Sequence, residues 1–141
     1  RACTAAIIEI SVLVQSDLPE LTAGIMIRDN LGNDVFGTNT FHHGVPCGAL
    51  RAGTRVRARF AFPDLALGVG NYSLTVALHT RDTHLTSNFD WWDRSLVFQV
   101  VPGNRPISSG VCNLPVSVAW EHPGDEVAVP IRCAAQVEGG P

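Results

Sequence analysis

A chain of 141 residues with 45% hydrophobic side chains carries enough apolar surface for one sizeable core, and so for a single domain. Its formal charge of -3 excludes a general nucleic-acid binder, which needs a basic excess to neutralise phosphates. No apolar stretch approaches the ~20 residues of a membrane helix; the longest, Ala5 to Val14, is interrupted by Glu9 and Ser11.

Ala6 to Val14 sets Ile8, Ile10, Val12 and Val14 against Ile7, Glu9, Ser11 and Leu13 before Ser16-Asp17-Leu18-Pro19 breaks the pattern, which predicts a well-covered first strand. Thr22 to Arg28 is a second strand, with Ile25 and Ile27 opposed to Met26 and Arg28. Asp29-Asn30-Leu31-Gly32-Asn33 turns it into a third, Asp34 to Thr38, because Asn and Gly tolerate the positive φ of a tight hairpin. Asn39 to Gly53 has no periodicity and reads as a long loop at one end of the domain. Thr54 to Phe62 alternates most cleanly, with Val56, Ala58, Phe60 and Phe62 on one side and Arg55, Arg57 and Arg59 on the other. That pattern is a core-facing strand with a cationic outer ridge.

The stretch from Gly70 to Val101 predicts two half-buried strands joined by a polar loop. Tyr72, Leu74, Val76 and Leu78 alternate with Ser73, Thr75, Ala77 and His79, and on the return Leu96, Phe98 and Val100 alternate with Ser95, Val97 and Gln99. Leu67-x-x-Gly70-x-Tyr72 has the form of a tyrosine corner, in which the phenol bonds back to the backbone entering a sandwich strand. Pro102-Gly103-Asn104-Arg105-Pro106 is a boundary, followed by two weaker β-like runs, Val111 to Trp120 and Glu126 to Val137. The sum is an all-β chain, an antiparallel β-sandwich of about seven to nine strands.

Cys3, Cys47, Cys112 and Cys133 form no C-x-x-C pair, which excludes zinc-knuckle and thioredoxin readings. They read as small packed thiols of a reducing compartment, with disulfides the alternative for an exported protein. The first residues lack a secretory signal, and Arg1 in place of an initiator Met points to a piece of a longer protein with an upstream domain.

Three stretches carry a resemblance: Gly24 to Asp29 with Gly32 and Val35-Phe36-Gly37-Thr38-Asn39-Thr40; Leu67-x-x-Gly70-x-Tyr72-x-Leu74; and Asp90-Trp91-x-Asp93 leading to Phe98 and Val100. Together they resemble the C-terminal domain of Wzt, the nucleotide-binding subunit of bacterial ABC transporters that export O-antigen polysaccharide. The similarity covers roughly residues 6 to 121. It implies an immunoglobulin-like sandwich, spanning 1–121 with 122–141 as a C-terminal strand or extension, that binds the polysaccharide awaiting export. It also implies a homodimer formed by strand exchange, an upstream ATPase domain, a transmembrane transporter subunit, and a cytoplasmic location at the inner membrane. No G-x-x-x-x-G-K-[ST] occurs, so the ATPase half is absent from this chain. Similar domains are also appended to sugar-modifying enzymes, and an immunoglobulin-like protein-interaction domain is the reading from another class.

Sugar sites combine an apolar platform with planar hydrogen-bonding side chains. The expected ligand-binding set is Ser73, Thr75, His79 and Gln99 on one outer sheet face, closed by Arg81, His84, Asn88, Asp90 and Trp92 of the adjoining loop. Adjacent Trp91 and Trp92 take opposite sides of an extended strand. The family pattern matches Trp91, which makes it the structural residue and Trp92 the freer platform. The arginine ridge reads as a solvated, aggregation-resisting face ahead of an acidic-glycan site. Asp90 and Asp93 as a hydrolase pair, or His42 and His43 with His79 or His84 as metal ligands, lack the spacing that marks such sites. The expectation is therefore a binding domain with no catalytic residue, metal or cofactor.

Overall fold

In the computed structural model, which describes residues 4–45, 47–79 and 90–120, six strands form among the described residues. They are β1 (Ala6–Leu13), β2 (Thr22–Asp29), β3 (Asp34–Asn39), β4 (Arg55–Phe62), β5 (Gly70–His79) and β6 (Asp90–Val100). β1 pairs with β4, and the other four form an antiparallel sheet in the order β3-β2-β5-β6. The fold is an immunoglobulin-like antiparallel β-sandwich. No helix among the described residues is long and apolar enough to cross a membrane.

Alternation decides what each strand buries. In the β1–β4 ladder Ile8, Ile10 and Val12 oppose Phe60, Ala58 and Val56, while Glu9, Ser11 and Leu13 oppose Arg59, Arg57 and Arg55 on the outside. Ile10 and Phe60 meet Ala23, Ile25, Ile27, Leu74, Val76 and Val100 from the other sheet in one core cluster. Each such Ile, Leu, Val or Phe side chain contributes ~1.5–3 kcal/mol on burial. The Glu9 carboxylate lies 3.3 Å from Arg57 Nε and 3.4 Å from Arg59 Nη2, exposed pairs that solvent screens to ~0–1 kcal/mol.

The β2–β3 turn is built by one carboxylate. Asp29 Oδ1 accepts from the backbone N–H groups of Leu31 (2.9 Å) and Asn33 (2.8 Å), and Oδ2 accepts from Asn33 Nδ2 (2.8 Å). These bonds, that of the Asn33 side chain first, hold the Asp29 carboxyl below its ordinary 3.8. Gly32 takes the left-handed position with φ +84°.

The tyrosine corner is present: buried Tyr72 donates its hydroxyl to the Gly68 carbonyl (2.9 Å), and its ring stacks on Phe98 at 5.7 Å. After β6 the chain is fastened beneath this corner. Gly68 N–H donates to Val111 O (3.0 Å), Asn113 N–H to Ala66 O (2.9 Å), and Arg105 Nη2 to Asp64 Oδ2 (2.6 Å).

The predicted strand Val111 to Trp120 is not one. Only Cys112 pairs, in an isolated bridge with Leu67, and the residues beyond it join no ladder. Its period-2 apolar pattern is real, but a strand needs a neighbour to satisfy its backbone, and none of the described residues offers one. The run Glu126 to Val137 and the extension 122–141 lie outside the described residues, as do Cys3 and Cys133; Cys47 and Cys112 are free thiols.

Candidate functional site

The outer face of the four-stranded sheet follows from register. Thr22, Gly24, Met26 and Arg28 of β2 pair with His79, Ala77, Thr75 and Ser73 of β5, and Gly24 and Met26 pair on the other side with Asn39 and Gly37 of β3. Small residues on three adjacent strands leave an open depression of about 390 Å³. Its floor holds Gly24, Met26, Gly37 and Ala77, and its rim Asp34, Asn39, His42 and His79.

The floor owes its shape to a large residue lying over an absent one. A Cβ on Gly37 would sit 2.6 Å from Met26 Cε and 3.0 Å from Sδ, so the thioether lies flat only because Gly37 has no side chain. At the far rim, Asn39 Oδ1 accepts from the His42 backbone N–H (2.7 Å), which fixes the start of the long loop beside the depression.

One end is closed by an ionic bridge across the sheet. Arg28 Nε donates to Asp34 Oδ1 of β3 (2.7 Å), and Nη1 donates to Thr75 Oγ1 of β5 (3.1 Å) and Asp93 Oδ1 of β6 (3.3 Å). Thr75 in turn donates to Asp93 Oδ1 (3.0 Å) and is 2% exposed, buried beneath this bridge although it faces outward. Three residues of β5, Leu74 to Val76, span five of β6, Leu96 to Trp92. The bulge is shaped by Arg94 at φ 49° and tied by the Ser95 hydroxyl, which donates to Leu74 O (2.9 Å).

The structure gathers only part of the set expected from sequence. His79 stands at the rim of the depression, and Thr75 lies against it, buried beneath the bridge. Ser73 and Gln99 share the outer face but lie past the bridge, where Ser73 pairs with Val97 and Gln99 with Asn71. Trp92 is 73% exposed yet pairs with Val76, a core residue, so it sits on the opposite face of the sheet from His79. The position that pairs with outward Ala77 is Trp91. The bulge shifts the register by two residues and so leaves the faces unchanged: Trp92 keeps the parity of Leu96, Phe98 and Val100. Asp90 pairs with Leu78; Arg81, His84 and Asn88 lie outside the described residues.

Asp34 and Asn39 are outside the expected ligand set because β3 shows no binding chemistry until it is laid against β2, and His42 was weighed only as a metal ligand. Among the described residues no three His, Cys, Asp or Glu side chains are grouped to hold a metal ion.

A family model described as the Wzt C-terminal domain matches residues 4–114. Among solved structures, one described as the crystal structure of the C-terminal domain of wzt superposes with a TM-score of 0.69 at 21% identity, covering 83% of this chain and 70% of that one. A search of curated proteins finds no match. The matched stretch runs from just before β1 through the fastening at Asn113 and takes in every strand described, so the chain belongs to the Wzt C-terminal domain family.

Proposed function

We propose that this chain is a non-catalytic carbohydrate-binding domain that holds a polysaccharide of O-antigen type for export by an ABC transporter. The observation that carries this reading is the outer-face depression. A flat apolar floor of Gly24, Gly37, Met26 and Ala77 suits the C–H face of a sugar ring, and Asp34, Asn39, His42 and His79 offer hydrogen-bonding groups to its hydroxyls. In the full-length protein the partners are then an upstream ATPase domain and a transmembrane subunit, at the cytoplasmic face of the inner membrane. Calorimetry against purified O-polysaccharides tests it. Saturable binding to at least one, lost in His79→Ala, supports the reading, and no binding to any polysaccharide ends it.

We further propose that the chain works as a homodimer with an exchanged strand. Leu114, Val116, Val118 and Trp120 are 68%, 76%, 85% and 90% exposed, an apolar alternation with no core of its own. An apolar groove of about 620 Å³ runs along β4 opposite β3, lined by Phe36, Val56, Ala58, Phe60 and Phe62, and invites an added strand. Light scattering tests the assembly: a dimer that Val116→Asp with Val118→Asp converts to monomer is expected, and a wild-type monomer across the micromolar range contradicts it.

A further inference from the structure

Met26 is the single methionine of the chain, and it stands on the floor of the outer-face depression. It is half-buried in the middle of β2. Its outward neighbours are short: Gly37 across on β3, Thr75 across on β5, and Gly24 two residues earlier on its own strand. A Cβ on Gly37 would stand 3.0 Å from the sulfur and 2.6 Å from the terminal carbon. One side of the thioether therefore lies against β3, and its other side lines the open depression.

That placement exposes a polarisable sulfur to an oxidant in solution. A peroxide converts a thioether to a sulfoxide, a change that methionine sulfoxide reductases reverse. The sulfur lone pair attacks the O–O bond of hydrogen peroxide, an S–O bond forms, and the second oxygen leaves as water once a proton has moved to it. Sulfur is oxidised, the peroxide is reduced, and the products are one sulfoxide and one water. The depression is the side open to the oxidant, so the oxygen is added on the side where a ligand rests.

The same atom reverses the character of the floor. Gly24, Gly37, Ala77 and the thioether offer an apolar surface to the C–H face of a sugar ring. A sulfoxide oxygen is a strong acceptor, and a C–H face brings it no donor. Seating the ring would strip water from that oxygen without replacing its hydrogen bonds. Nor can the enlarged group sink, because the space over Gly37 is already filled by the methionine itself.

We infer that Met26 is a redox-sensitive modification site: oxidation by a peroxide lowers the affinity of the depression for glycan, and reduction of the sulfoxide restores it. This rests on the glycan-binding reading above. The test first finds, in a panel of purified O-polysaccharides, one that binds. The chain is then treated with hydrogen peroxide, with and without that polymer, until Met26 is partly converted, and the sample is passed over the immobilised polymer. Peptide mass spectrometry reads Met26 in the retained and unretained fractions, and thermal unfolding verifies that the unretained fraction is folded. Bound polymer should slow the oxidation of Met26, and the sulfoxide should collect in the unretained fraction. That fraction should bind about tenfold more weakly, the cost of burying one polar group without a partner. Methionine sulfoxide reductase should return it to the retained fraction. Sulfoxide shared equally between the fractions, a Met26 that resists peroxide while free methionine is consumed, or an unretained fraction that has unfolded overturns the redox site while glycan binding itself stands. Failure of every polymer to bind overturns both.

Discussion

Arg28 on β2 and Asp93 on β6 meet across the intervening strand β5, Nη1 to Oδ1 at 3.3 Å, with the hydroxyl of Thr75 bonded to both. The contact joins residues 65 positions apart and ties the bulged edge strand to the middle of the sheet. A double-mutant cycle with Arg28→Ala and Asp93→Ala should give a coupling of ~0.5–1 kcal/mol, because one partner is largely solvated. Additive effects in chemical denaturation would mean that the bridge does not hold in solution.

His79 and Trp92 separate the two faces of the sheet. His79→Ala should weaken polysaccharide binding by ~1–3 kcal/mol, as truncation of an anchor does. Trp92→Ala, on the opposite face, should leave the dissociation constant unchanged in the same calorimetric titration. The reverse result would move the ligand to the other side of the sheet.

Gly37→Ala is a test of shape alone. The new methyl must displace the flexible end of Met26 and not any backbone, so the melting free energy should change by less than ~1 kcal/mol. Binding should fall severalfold as the thioether is pushed up from the floor. Met26→Ala combined with Gly37→Ala should recover part of the loss, which titration of the double variant will show.

Gly68→Ala should behave in the opposite way. A Cβ there overlaps the carbonyl of Gly110, which is backbone and has nowhere to go, so the fastening of the post-β6 segment must open. A loss at or above the ~1–3 kcal/mol of overpacking is expected in urea unfolding. Hydrogen exchange should be faster at the Gly68 and Asn113 amides.

Tyr72 and Asp29 give the stability curve two limbs. Burial, then the neighbouring Cys112 and Asp29, raise the Tyr72 phenol above its ordinary 10.0. The unfolded chain thus ionises first, and stability is lost as pH rises from about 10 toward the folded value. Tyr72→Phe should flatten that alkaline limb and cost ~0.5–1.5 kcal/mol at neutral pH through the missing bond to Gly68. The Asp29 carboxyl is lowered, so its contribution is present above 3.8 and fades as pH falls through the folded value. Asp29→Ala should make acid unfolding less steep below pH ~4, measured by circular dichroism against the parent.

Alternation in Ile8, Ile10 and Val12, or in Val56, Ala58 and Phe60, exists before any contact forms, since successive side chains of a strand must point to opposite sides. The positions of β1 to β6, the arginine ridge, the β2–β3 turn and the corner at Tyr72 were therefore legible from the residues alone, whereas the alternation of Val111 to Trp120 formed no strand. Which strands become neighbours is not a local property. Asp34, Gly37 and Asn39 came to line one depression only when β3 paired with β2. Thr75 looked available because its strand alternates, and it is buried because Arg28 and Asp93 reach over it from two other strands. In each case the deciding term is a cross-strand contact between residues distant in sequence, and such contacts exist only once the sheet has closed.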